Sequence, residues 1–193
     1  MLPSRRELLR TALVAAPFFL EVPAGNAARQ VSEHNERPGR WFWIPGHTFQ
    51  VTAAGELTGN ACTWILAESK PREGVVFHRH SREDECFYIL DGRYEITIGD
   101  RALTGAPGSF FFGPRNIPHR WTNVGSTTGR LMFVYNPSGI EAFFLGVGIS
   151  VKGPAERPNF DPAALGKRQA EMALKVGLTK TGEAKYQIRA NGY

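Results

Sequence analysis

Residues 74–92 read GVVFHRHSREDECFYILDG, and the fold turns on how this stretch divides. Val, Phe, Tyr, Ile and Leu dominate it and predict two strands, Val75–His80 and Glu85–Leu90, joined by a turn at Ser81–Asp84. Side chains alternate across a strand, so His78 and His80 point to one face and Arg79 to the other. Val76 shares the histidine face, which marks it as interior. On the return strand Glu85, Phe87 and Ile89 share a face, and the short turn brings Glu85 opposite the histidines. Arg79, Arg82, Glu83 and Asp84 then form the exposed outer face and turn.

Two imidazoles and a carboxylate inside an apolar layer each carry a large desolvation cost. A divalent metal offsets that cost, because it supplies charge to the carboxylate and accepts a lone pair from each imidazole. A third imidazole comes from FGPRNIPHRWTN, residues 112–123. There His119 opens a strand after a Pro-rich turn and shares its face with Trp121 and Asn123. If that face is interior, His119 reaches the same ion. The candidate metal ligands are therefore His78, His80, Glu85 and His119. Phe87, Ile89 and Trp121 lie on the ligand faces and are the candidate pocket residues. An acid or sugar would need Arg and Lys there, so these residues favour an apolar substrate. His34, in a polar arm, and His47, after a Pro-Gly turn, are expected at the surface.

Around this region the chain repeats a short strand followed by Gly, Pro, Asn or Asp. The expected strands are Thr48–Ala53, Cys62–Glu68, Arg93–Ile98, Arg101–Leu103, Ser109–Phe112, His119–Asn123 and Leu131–Asn136, after an aromatic start at Trp41. Asp91-Gly92 and Gly99-Asp100 read as hairpin turns. Within Phe110-Phe111-Phe112, alternation sends at least one ring inward and one outward. Many short antiparallel strands in a chain of 193 residues imply a sandwich or barrel with a sizeable core. Cys62 and Cys86 fall in strands and are read as two free, buried cysteines, with one disulfide between them as the alternative in an oxidising compartment.

The ends differ from the centre. Residues 1–40 carry six Lys/Arg against four Asp/Glu, 41–150 nine against ten, and 151–193 eight against four. The net charge of +5 therefore sits at the termini. That distribution is not a nucleic-acid-binding face, and no nucleic-acid motif accompanies it. SRRELLR, then TALVAAPFFL, then small residues, is the layout of an export signal. Arg5-Arg6 with Leu8-Leu9 resembles the twin-arginine pattern, which implies a periplasmic or secreted protein. Cleavage is expected between Ala24 and Ala28. No apolar run is long enough for a stable membrane span. At the other end, Asp161 as N-cap, Pro162 at the first helical position and Gly177 as a stop predict a helix over 162–176. Leu165, Met172 and Val176 share one of its faces, and Lys167, Arg168 and Lys175 make the outer face basic. Residues 179–193 read as a loose tail. The domain reading is thus 1–28 export signal, 29–40 polar arm, 41–150 β domain, and 151–193 helix and tail.

Gly74, His78, His80, Glu85 and Gly92 resemble the first motif of the cupin superfamily, and Gly108, Pro114, His119 and Asn123 its second. Gly74 stands closer to His78 than the pattern has it. Asn116 replaces a Gly, and Asn tolerates a left-handed backbone. The resemblance implies an all-β fold, a single jelly-roll antiparallel β-barrel, here with a short C-terminal helix. It also implies a divalent metal, Fe(II) as the default, with Mn, Ni, Co, Cu or Zn as alternatives. Trp41-Phe42-Trp43 is similar to a subgroup resembling bacterial quercetin 2,3-dioxygenase. That subgroup implies a dioxygenase of an aromatic, flavonol-like or enol-bearing small molecule, with dioxygen as co-substrate. Glu85 would then be both metal ligand and general base. Two other readings stand beside it: a non-catalytic small-molecule or metal-binding cupin, and a cupin isomerase or decarboxylase. Members of the superfamily often dimerise, so a homodimer is compatible with the resemblance.

Overall fold

The computed structural model describes residues 40–182. The expected export signal, most of the polar arm and residues 183–193 lie outside the described residues. The elements run β1 (Trp41–Ile44), β2 (His47–Ala53), α1 (Gly55–Thr58), β3 (Thr63–Ser69), β4 (His78–His80), β5 (Asp84–Asp91) and β6 (Tyr94–Ile98). They continue through β7 (Arg101–Gly105), β8 (Phe110–Gly113), β9 (His119–Asn123), β10 (Gly129–Asn136), α2 (Glu141–Val147), β11 (Ile149–Val151), α3 (Pro162–Val176) and β12 (Leu178–Lys180).

Two antiparallel sheets face each other. One has the order β11-β1-β2-β3-β10-β5-β8, the other β12-β4-β9-β6-β7. The result is jelly-roll in type, but it is a two-sheet sandwich and not one closed barrel. Alternation explains the core. Phe49, Ile65, Phe87, Ile89, Leu131 and Phe133 point inward from the larger sheet, and Tyr94, Ile96 and Trp121 meet them from the smaller.

The sandwich corrects two turns. Residues 75–90 are not a hairpin, because β4 and β5 belong to different sheets. Asp91-Gly92 is likewise a corner between sheets: β5 pairs β10 and β8, whereas β6 pairs β7 and β9. A tight turn and a sheet-to-sheet corner use the same residues, here Gly92 at φ 87°. Gly99-Asp100 does close a hairpin, with Ile98 opposite Arg101.

Five further expectations change. Val76 is 63% exposed, because the regular strand begins only at His78. Glu83 and His47 are buried. Cys62 and Cys86 are free as expected, but half-buried. Residues 178–180 form an edge strand on β4, with Leu178 opposite His80 and Lys180 opposite His78. Pairing with the smaller sheet orders a segment whose composition alone signals no strand.

Two helices close one end. α2 is held by Glu141, which accepts hydrogen bonds from the Gly55 amide (2.9 Å), the Thr63 hydroxyl (2.5 Å) and the Gly139 amide (2.7 Å). It buries Phe143, Phe144 and Val147. α3 has the predicted bounds. Asp161 accepts from the Ala163 and Ala164 amides, and Gly177 ends the helix at φ 75°. A Cβ at Gly146 would crowd the Met172 side chain, so the missing side chain lets α2 and α3 approach.

Candidate metal centre

The sandwich brings His78, His80, Glu85 and His119 to one place between the sheets. The smaller sheet supplies all three imidazoles, with His78 on β4 directly opposite His119 on β9. The larger sheet supplies Glu85 from β5. Glu85 Oε2 lies 2.8 Å from His119 Nε2, 3.2 Å from His80 Nε2 and 3.8 Å from His78 Nε2. One ligand atom from each residue falls within 4.8 Å of all the others.

The outer ring nitrogens set the tautomers. His78 Nδ1 donates to the Val76 carbonyl at 3.0 Å, and His119 Nδ1 donates to the Ile117 carbonyl at 2.9 Å. A carbonyl only accepts, so each Nδ1 carries the hydrogen and each Nε2 is left to face inward. His80 lacks such a bond: neither buried nitrogen is hydrogen-bonded, and Nδ1 lies 3.6 Å from the buried Glu83 Oε2. The fourth ligand is also oriented, since the Tyr135 hydroxyl donates to Glu85 Oε1 at 2.9 Å. Three Nε2 atoms and a carboxylate oxygen therefore converge, the His80 Nε2 orphaned among them, and on release of the protons held at His80 and between His119 and Glu85 all four present lone pairs. A divalent cation is what such an acceptor-only set fits.

Burial lowers the His78 pKa to about 4, helped by the neighbouring His119, so His78 is in the neutral form a metal needs. Burial alone would raise Glu85, but the His119 hydrogen bond and charge, with the His78 and His80 imidazoles close beside it, hold it well below the usual carboxylate range. Burial likewise opposes charge on His80. Its two carboxylate neighbours, Glu83 and Glu85, outweigh that and raise it to about 9. Burial and the Glu85 charge push Tyr135 well above the ordinary phenol value, so it stays a donor.

His78, His80 and Glu85 line a cavity of about 690 Å³. Ile44, Trp121, Phe133, Ile140, Phe143 and Phe144 give it an apolar, aromatic wall, and one face of α3, through Gly166, Ala170 and Ala173, closes over it. Trp121 lines the cavity. Phe87 and Ile89 do not: both are fully buried, Phe87 packing against the His119 and Phe133 rings. Three residues near the ligands escaped the sequence reading. Tyr135 ends a strand like any core tyrosine. Glu83 sits in a charged turn that looks exposed. His47 follows a Pro-Gly turn, yet it lines the cavity, with its ring centroid 5.2 Å from Trp121 and neither nitrogen hydrogen-bonded. Only the Pro-Gly turn folding back into a strand could have signalled it.

Residues 65–135 match the family model described as Cupin domain. Protein SchB of Streptomyces halstedii is 27% identical over 86 residues, 45% of this chain and 60% of the relative. Polyketide synthase CurC of Streptomyces cyaneus is 28% identical over 72 residues, 37% of this chain and 47% of the relative. The match thus spans less than two thirds of either relative. Among solved structures, an RmlC-like cupin from Shewanella frigidimarina is similar at TM-score 0.49 and 18% identity, covering 57% of this chain and 96% of that one. KdgF from Halomonas sp. is similar at TM-score 0.48 and 16% identity, covering 52% and 88%.

Proposed function

We propose, from the match of residues 65–135 to the Cupin domain model, that the chain is a cupin and a metal-dependent dioxygenase of an aromatic, flavonol-like or enol-bearing small molecule. The observation that carries this reading is the pairing of the His78, His80, Glu85 and His119 group with an apolar cavity. A bound divalent ion, Fe(II) by default, would supply Lewis acidity and open positions for substrate and dioxygen.

The protein's own groups divide the remaining work. The aromatic wall takes the planar body of the substrate and excludes water. Glu85 is the acceptor for a proton leaving the substrate hydroxyl, and Tyr135 fixes the carboxylate by donating to Oε1. His47 offers one donor and one acceptor to a polar substituent in a wall that is otherwise apolar. Among the described residues Lys180 is the one lysine or arginine lining the cavity, which disfavours a polyanionic sugar phosphate. A relative named a polyketide synthase fits the substrate class, since poly-β-ketone chains enolise and aromatise. The sequence layout at residues 1–28 extends the proposal to an exported protein.

The test is elemental analysis of the purified full chain, then oxygen uptake with a panel of flavonols and other enols. Stoichiometric metal with uptake supports the reading. Stoichiometric metal with no uptake across the panel overturns the dioxygenase and favours a binding cupin or an isomerase or decarboxylase. Glu85→Gln is expected to retain some metal and lose most turnover; equal turnover removes Glu85 from the proton role.

A further inference from the structure

Lys180 stands in one row with two of the candidate metal ligands. Across the smaller sheet the registers align His119 of β9 with His78 of β4, and His78 with Lys180 of β12. Residues directly opposite in an antiparallel pair project to the same face, so Lys180 follows the imidazoles towards the cavity, which it lines. The ladder bonds fall on alternate pairs: the Ser81 amide donates to the Gly177 carbonyl at 3.0 Å, and the Thr181 amide to the Phe77 carbonyl at 2.9 Å. His78 and Lys180 are therefore a non-hydrogen-bonded pair, the kind in which side chains approach most closely, with Cα atoms about 4.5 Å apart. Gly177 makes this placement possible. At φ 75° it ends α3, and a Cβ there would meet the Ser81 hydroxyl, so the missing side chain lets the chain turn straight into β12 along β4.

We propose that Lys180 is a substrate-recognising residue, which seats a single carboxylate of the substrate at the His78 side of the metal centre. This rests on the metal-centre reading above and narrows its substrate class to monoanionic hydroxy-aromatic or enol acids. The approach to the centre supports it. The His78 side chain is 14% exposed, whereas those of His80, Glu85 and His119 are 3% exposed or less, so the centre is reached past His78, the residue that Lys180 faces. The surroundings support it as well. Val76 and Leu174, 63% and 81% exposed, line the same cavity, and Leu178 lies beside Lys180 on its own strand. Apolar neighbours strengthen a charge pair and leave the ammonium as the group that separates an acid from its neutral analogue. Among the described residues Lys180 has no ion-pair partner, while Arg115, Arg120, Arg130 and Arg157 each have one. One lysine on a flexible stem matches one negative charge. Residues 178–180 lie outside the 65–135 match, so the cupin motifs do not supply this group.

The test is equilibrium dialysis of the Fe(II)-loaded full chain, kept free of dioxygen, against 3-hydroxy-2-naphthoate and its methyl ester. Lys180→Met keeps the stem and removes the charge. It is expected to weaken binding of the acid about tenfold, less at high salt, and to leave ester affinity, metal content and thermal midpoint unchanged. Lys180→Arg should keep the acid's affinity, as should Lys175→Met, which removes an exposed charge away from the cavity wall. Equal effects of Lys180→Met on acid and ester, or an acid affinity that Lys180→Met leaves intact, overturn the proposal, the latter because the ion alone then holds the carboxylate. Binding of neither probe by the unsubstituted chain overturns the substrate class and the residue's role together. Oxygen uptake does not enter this measurement. A chain that selects the acid through Lys180 and consumes no dioxygen keeps this inference and loses the dioxygenase. A chain that oxidises flavonols and is indifferent to Lys180→Met loses this inference alone.

Discussion

His78 and Glu85 are close in sequence but face each other from opposite sheets, with Nε2 and Oε2 3.8 Å apart. The metal group is therefore a bridge through the sandwich. Three imidazoles belong to one layer and the carboxylate to the other, so a cation held there would tie the layers together. Metal should then stabilise the fold as well as equip it. A divalent ion at about a hundredfold above its dissociation constant is expected to add about 2.7 kcal/mol, a rise of several degrees in thermal midpoint. Chelation should reverse the rise, and His119→Ala should abolish it. A midpoint indifferent to added metal would contradict the bridge.

Glu83 lies 3.6 Å from His80 Nδ1, and its own Oε2 has no hydrogen-bond partner. A small adjustment would make it the acceptor that His78 and His119 already have in backbone carbonyls. Glu83→Gln should weaken metal affinity by about tenfold to a hundredfold without removing a ligand. Competition with a chromophoric chelator measures this. Unchanged affinity would show that His80 is oriented by packing alone.

The ligands were legible in the sequence because their spacing is local: alternation fixes His78 with His80, and His119 opens its own strand. α3 was legible for a similar reason, since Asp161, Pro162 and Gly177 mark both ends. The sheet partners were not. A turn such as Ser81–Asp84 can fold a strand back onto its neighbour or across to another layer, and only the packing of β5 against β10 decides. Glu83 and His47 were misplaced for the same cause: each follows a turn signal, and turns are expected at the surface. β12 exists because β4 offers an open edge, a property of the sheet that residues 178–180 do not advertise.

Backbone approach at the cavity rim makes two glycines sensitive. A Cβ at Gly46, which has φ 105°, would fall on the Gly74 carbonyl oxygen, and a Cβ at Gly74 would fall on the Trp121 carbonyl oxygen. Both obstacles are backbone, so neither can rotate aside. Gly74→Ala should cost about 2 kcal/mol or more and lower the thermal midpoint. Gly153→Ala, which meets nothing within 4 Å, is the control. Equal midpoints for the two variants would mean that the rim yields more easily than its packing implies.

His47 should make the fold acid-sensitive. Burial lowers its pKa to about 3, against the opposing charge of Glu85 and with smaller contributions from Arg157 and His78. An unfolded chain binds the same proton near pH 6.5. Above 6.5 both states hold neutral imidazole, and His47 contributes no pH dependence. As pH falls from 6.5 towards 3 the unfolded chain gains a proton that the folded chain refuses, so stability falls by up to about 1.4 kcal/mol per pH unit. Below about 3 both states are protonated and the slope from this group ends. His47→Phe keeps an aromatic ring among Phe49, Trp121 and Phe144 and removes the titration. Urea unfolding of the two proteins at pH 7 and pH 5 is the measurement, made on metal-free samples so that metal loss does not enter. The variant should lose about 2 kcal/mol less than the parent between these values. Parallel losses would show that His47 takes up a proton in place, and that the cavity around it admits water.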